Sequence, residues 1–263
     1  MLKLAANITM LFTEHAFLDR FAAAADAGFE AVECIYFYDE KPEALEAALT
    51  RNGLTMALMN SPHGDWAAGE RGLAALTGRE ADFREAIARV PEIAAATRCT
   101  KFHVMPGLCN PTAENLARYR DNIALAAEVF APHDLEVLIE PINRRDIPGF
   151  MLSDFALAAE TINALALANV RLQFDVYHRQ VLCGDIVRGL EALIPVIGHV
   201  QIADVPERHE PGTGEINFSR IFKTLDELGY DGWVGCEYHP RGATVDGLDW
   251  RDVFANTSGR STP

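Results

Sequence analysis

No run of about 18 apolar residues occurs in this chain of 263 residues, so no stretch reads as a membrane-spanning helix. Basic residues are scarce. The 23 Lys and Arg stand against 38 Asp and Glu, a formal charge of -15 that disfavours a nucleic-acid backbone or an anionic membrane surface as partner. A small anion still fits, because one pocket of an acidic protein can be locally positive. Cysteine is sparse and odd in number. The five residues, at 34, 99, 109, 183 and 236, form no metal-binding spacing and no disulfide framework, so free thiols in a reducing compartment are expected. A G-x-G-x-x-G fingerprint is missing, and GTGE at 212–215 is too short to replace it, which argues against a dinucleotide and for a turn. The opening MLKLAANITMLF has no long apolar core leading to a small-residue cleavage site, and a cytoplasmic protein is expected.

What is present is a regular alternation of short apolar runs and helical periodicity. Apolar residues at 49% and charged residues at 23% suit a globular domain, and the length suits one α/β barrel of roughly 250 residues. Eight strands can be counted: 2–7, 30–34, 54–59, 101–105, 135–140, 170–175, 199–203 and 233–237. Helices are expected between them over 14–27, 42–52, 80–97, 112–130, 153–167, 185–197 and 218–228, with Ser153 as one N-cap. The pattern predicts a (β/α)₈ TIM barrel as a single domain over residues 1–257, followed by a disordered tail over 258–263. The loop from Asn60 to Arg79 exceeds the usual short connection, which makes it a candidate lid or a contact in a homo-oligomer.

Four of the strands end in, or carry, an oxygen donor. LEVLIE ends at Glu140, RLQFD at Asp175 and GWVGCE at Glu237, while HVQIAD carries Gln201 between Val200 and Ile202. The intervals of 35, 26 and 36 residues each approximate one strand, helix and strand repeat, so the four groups converge on one barrel mouth. Three carboxylates and an amide oxygen suit a hard cation, Mg²⁺ or Mn²⁺, better than Zn²⁺. Gln201 in an apolar strand needs a buried partner, and a cation would supply one. Glu140 and Glu237, three strands apart, can face a bound molecule from two sides and move protons to and from adjacent carbons. His178 and Arg208 lie where a substrate would, Arg208 as a clamp for a carboxylate. Asp146, His63 beside Trp66 on the long loop, and Lys101 beside His103 are further candidates for substrate contact.

With these residues in view, the chain resembles the hydroxypyruvate isomerase family of the xylose isomerase-like barrel superfamily. The likeness rests on LIEPINRRDIPGF, QFDVYHRQ, GHVQIADVPERHEPGTGEINF, GYDGWVGCEYHP, AANITMLF and SPHGDWAAGERGLAALTGRE. The resemblance implies that Glu140 and Glu237 are both proton carriers and Mg²⁺ ligands, and that Asp175 and Gln201 complete the cation site. It implies that His178, Arg208 and Asp146 contact substrate, the alignment at Arg208 needing a one-residue shift. The ketose 3-epimerase branch has His where this chain has Gln201, which places it nearer the isomerases of oxo acids. The implied reaction interconverts hydroxypyruvate and 2-hydroxy-3-oxopropanoate through an enediolate. The alternatives are a 2-oxo-tetronate isomerase acting on a four-carbon acid, a ketose 3-epimerase, and a sugar-acid dehydratase in which a β-hydroxyl leaves instead. A metal-dependent nuclease would want a His-rich zinc cluster and a basic face, and this chain has neither.

Overall fold

Val137, Leu138 and Ile139 are completely buried, as a strand covered on both faces requires, and seven other segments of similar character pair with them in parallel. A computed structural model of the chain describes residues 3–35 and 39–255. Its strands are β1 (Lys3–Asn7), β2 (Ala31–Cys34), β3 (Thr55–Asn60), β4 (Lys101–His103), β5 (Glu136–Ile139), β6 (Val170–Asp175), β7 (Ile197–Ile202) and β8 (Trp233–Cys236). They run in sequence order around a closed barrel, β8 returning to β1. This is the expected (β/α)₈ TIM barrel. The helices are α1 (Asp19–Asp26), α2 (Pro42–Asn52), α3 (Glu80–Ala88), α4 (Val90–Thr97), α5 (Ala113–Phe130), α6 (Phe155–Leu165), α7 (Val176–Leu182), α8 (Ile186–Leu193), α9 (Phe218–Glu227) and α10 (Trp250–Ala255). The tail over 258–263 lies outside the described residues. Among those described, no helix is long and apolar enough to cross a membrane.

Several boundaries differ from the periodicity, each for a local reason. The first helix starts at Asp19 and not at residue 14, because Phe12 adopts a left-handed backbone and Glu14 turns away to accept from the Thr244 backbone N–H at 3.0 Å. The helix expected over 80–97 is two helices. Pro91 lacks an N–H and its ring meets the carbonyl four residues back, so α3 ends and α4 begins around it. Asp154, not Ser153, caps α6, its carboxylate accepting from the N–H groups of Ala156 at 2.7 Å and Leu157 at 3.0 Å. Thr112 caps α5, accepting from Asn115 N–H at 3.2 Å. The short α7 follows β6 with no intervening loop, and α10 lies beyond the last strand; neither was expected from the sequence.

The barrel interior is layered by strand alternation. Ala5, Ala31 and Ala57 pack with Trp233 toward the amino-terminal end. Two residues further along β1 and β2 stand Asn7 and Glu33, and with Gln173, His199 and Gln201 they form a fully buried polar layer. Above it, where the strands end, the interior opens into the mouth.

Candidate active site

Glu140, Gln201, Glu237, His178 and Arg208 line one cavity of about 570 Å³ at the carboxyl-terminal mouth, with Asp146 at its edge. Asp175 is fully buried behind that lining, against His178 and Arg208. Position and orientation of this residue follow from the strand-to-helix junction: as the last residue of β6 it is also the N-cap of α7, so its Oδ1 accepts from Tyr177 N–H at 2.7 Å and His178 N–H at 3.4 Å. That leaves Oδ2 to face the interior. There it meets His178 Nε2 at 3.5 Å and Arg208 Nη2 at 3.6 Å. Glu140 reaches the same place from β5, its Oε1 3.8 Å from His178 Nε2 and its Oε2 3.3 Å from His103 Nδ1. Arg208 also approaches Glu237 Oε1 at 3.2 Å and Asp146 Oδ2 at 3.6 Å.

Burial governs the electrostatics of this cluster. It pushes Glu140 well above the usual carboxylate range, with Glu237 and Asp175 adding repulsion. Burial likewise raises Glu237 to about 8 and Asp175 to about 6, in both cases against the opposing pull of Arg208. His178 is driven well below its ordinary value by burial and then by Arg208, and burial takes His103 down to about 3, so both imidazoles are neutral. Arg208 is itself enclosed, which opposes its charge, yet Glu237, Asp175 and Asp146 more than compensate.

Glu140 Oε1 and Asp175 Oδ2 are buried and receive no hydrogen bond. Together with a nitrogen of His178 they offer three ligand atoms within 4.8 Å of one another, a cluster able to hold a divalent metal. The donor set fits such an ion, since two buried carboxylate oxygens without a hydrogen-bond donor are costly unless positive charge lies beside them.

Gln201 lies in the cavity wall, but its partners differ from expectation. Its Oε1 accepts from Gln173 Nε2 at 2.6 Å and its Nε2 donates to Glu33 Oε1 at 2.7 Å, so protein groups already satisfy the buried amide. Lys101 is not at the mouth. It occupies the opposite end of β4, donating to the Gly198 carbonyl and 3.8 Å from Glu136, because side chains at the start of a barrel strand point away from the catalytic face. His63 does not line the cavity either; its ring packs edgewise on Trp66 at 4.9 Å between centroids, and Trp66 is the residue that lines it. Arg71 lies over the Trp66 ring, 3.6 Å from its centroid, and is the second guanidinium of the cavity wall. Sequence reasoning passed over Arg71, Gln173 and Glu33, while Asn143 and Arg144 stood beside Asp146 as weaker candidates just past Glu140. Glu33 carried a usable signal, a lone acid in the apolar strand AVEC, of the kind used for Gln201.

The loop that presents Arg208 is built on Asp204. Its Oδ1 accepts from the N–H groups of Val205 at 2.9 Å and Ile216 at 3.0 Å, and its Oδ2 from Gly212 at 2.9 Å and Gly214 at 2.8 Å. Gly214 is required here, since a Cβ would overlap the Val205 carbonyl. GTGE is thus a turn folded on a carboxylate. Asp204→Ala would strand these donors and should cost at least about 2 kcal/mol in urea denaturation, with a raised KM as Arg208 loses its seat. An unchanged midpoint would remove Asp204 as the organiser of this loop.

A parallel eight-stranded barrel with a buried carboxylate and imidazole cluster at its carboxyl-terminal mouth defines a small-molecule enzyme of isomerase or epimerase type, and the chain belongs to the xylose isomerase-like TIM barrel family, whose model matches residues 21–252. Within it, the chain is closely related to both 2-oxo-tetronate isomerases and hydroxypyruvate isomerases. It is 51% identical over 251 residues to the 2-oxo-tetronate isomerase of Cupriavidus necator, covering 94% of this chain and 96% of that one. To the hydroxypyruvate isomerase of Escherichia coli it is 42% identical over 257 residues, covering 97% and 100%. A solved structure from Brucella melitensis, named as a family 2 AP endonuclease, superimposes with a TM-score of 0.94 at 41% identity, covering 97% and 99%.

Proposed function

We propose that the protein is a 2-oxo-tetronate isomerase, shifting a carbonyl between adjacent carbons of a four-carbon oxo acid by moving a proton between C3 and C2. The observation that carries this choice over hydroxypyruvate is the higher identity to a four-carbon-acid isomerase, 51% against 42%, each over nearly the whole chain. Supporting the chemistry are Glu140 and Glu237, two carboxylates lining one cavity whose pKa values burial raises, Glu237 to about 8, so that each can hold and return a proton.

In this reading Glu140, Asp175, Gln201 and Glu237 hold Mg²⁺, with Mn²⁺ as a substitute. The cation, when bound, polarises the substrate carbonyl and lowers the cost of forming the enediolate. One glutamate takes the C3 proton and the other delivers a proton to C2. Asn143 donates from Nδ2 to His178 Nδ1 at 2.7 Å, its own Oδ1 being committed to Asp146 N–H at 2.9 Å. The neutral ring therefore carries its proton on Nε2, directed at the reacting oxygens, and His178 acts as a donor to substrate and not as a metal ligand. Arg208 binds the substrate's anionic end, held in place by Asp146 and by the Tyr177 ring at 5.0 Å. Five free thiols suit a cytoplasmic setting.

The test is a comparison of kcat/KM for hydroxypyruvate, 2-oxo-tetronates and fructose on Mg²⁺-loaded enzyme. The four-carbon acid should lead by at least about tenfold, the scale on which one carbon is discriminated. A lead for hydroxypyruvate would restore the three-carbon reading, and a lead for fructose would defeat the carboxylate clamp. Run in deuterated water, the reaction should place deuterium on carbon in the product; loss of water from the product mass would make the enzyme a dehydratase.

A further inference from the structure

Glu33, on β2, is a fully buried carboxylate with no place in the proton transfers above. Its Oε1 accepts from Gln201 Nε2 at 2.7 Å and Asn7 Nδ2 at 3.0 Å, and its Oε2 lies 2.6 Å from His199 Nε2. Asn7 is anchored in turn, its Oδ1 accepting from Thr9 N–H at 3.1 Å. On β8, which flanks β1 on the side away from β2, glycine stands at 235, where any Cβ would overlap the Glu33 carboxyl. Residues from β1, β2, β7 and β8 thus combine to seat one carboxyl group beneath the mouth.

An amide has two ends of nearly equal size and opposite polarity. Gln173, on the other side of Gln201, is also an amide and could pair with either end; its own Oε1 is buried without a donor. Glu33 breaks this symmetry, because a carboxylate only accepts and therefore takes the nitrogen. We infer that Glu33 is a positioning residue for the cation site: it holds Gln201 Nε2 down into the barrel, so that the amide oxygen, which accepts from Gln173 Nε2 at 2.6 Å through one lone pair, keeps the other for a divalent cation. A carboxylate accepting from the nitrogen also draws electron density toward the amide oxygen and improves it as a ligand. The inference rests on Gln201 being a ligand, as proposed above.

The experiment is Mg²⁺ titration by calorimetry of the full-length wild type, E33Q, Q201L and the double variant, with circular dichroism of each metal-free protein as the fold control. E33Q should weaken Mg²⁺ binding by about 10–100-fold, the usual effect of removing a ligand's supporting partner. Added to Q201L it should cause no further loss, since its effect passes through Gln201. Wild-type affinity in E33Q, or an equal loss in both backgrounds, overturns the inference alone. Wild-type affinity in Q201L overturns the ligand role of Gln201 and the inference with it. Should E33Q fail to fold, wild-type protein carrying ¹³Cδ,¹⁵Nε-labelled glutamine decides, the Gln201 signals being assigned against Q201L. Mg²⁺ should shift the Gln201 carbonyl carbon while its NH₂ protons stay slow to exchange, whereas faster NH₂ exchange with an unmoved carbonyl would overturn the inference.

Discussion

Glu140→Gln and Glu237→Gln should each lower turnover by at least roughly 10²-fold while leaving an oxygen ligand in place, so that Mg²⁺ still binds. Both side chains enter one cavity from strands on different sides of the barrel, and burial raises both above the usual carboxylate range, Glu237 to about 8. The two variants should differ in isotope exchange. Losing the base that serves C3 stops both product formation and uptake of deuterium at C3. Losing its partner stops product formation but leaves that exchange running, so the assay assigns the two roles. Near-normal turnover in both variants at full metal occupancy would transfer the acid and base work to His103 or His178, which lie within 3.8 Å of Glu140. Lys101 is no longer a contender, being at the far end of the barrel.

Removal of the metal with a chelator should abolish turnover and make the protein less heat-stable as pH rises from 5 to 8. In the metal-free chain, Asp175 at about 6, Glu237 at about 8 and Glu140, well above its usual range, hold protons that the unfolded chain releases near its ordinary carboxylate values. Their folded pKa values are the higher ones, so the stability they contribute is complete below the unfolded values. It is lost as pH climbs through the folded ones. A divalent cation bound there would replace those protons, so the gap in melting temperature between loaded and stripped protein should widen with pH. By the same exchange, apparent Mg²⁺ affinity should rise about tenfold per pH unit for each proton displaced between pH 6 and 8. A pH-independent affinity over that range would show that the carboxylates are already ionised without the metal.

The barrel was legible because strand period, helix period and turn residues agreed over almost every repeat. That Glu140, Asp175, Gln201 and Glu237 gather around one barrel mouth was legible because polar residues at regular strand intervals have few alternative explanations. What escaped was tertiary in origin. Whether Asp175 also caps a helix depends on α7 beginning with no loop, which periodicity over seven residues cannot show. Lys101 and His103 stand two residues apart on β4, yet one serves each end of the barrel, and only the register places them. The buried amide of Gln201 was expected to need a cation, but Gln173 and Glu33 satisfy it, and their approach depends on barrel closure and on the space left by Gly235.

The contacts of Trp66 with His63 and Arg71 give the enzyme an optical reporter. Of its three tryptophans, Trp66 alone lines the catalytic cavity, while Trp233 and Trp250 border a separate cleft toward the amino-terminal end of the barrel. An indole pressed against a guanidinium and an imidazole emits according to how those two groups are disposed, so a ligand entering the mouth modulates one emitter against a constant background from the other two. Substrate association can therefore be followed by intrinsic fluorescence without a label, and in the Glu140→Gln protein it can be timed free of turnover.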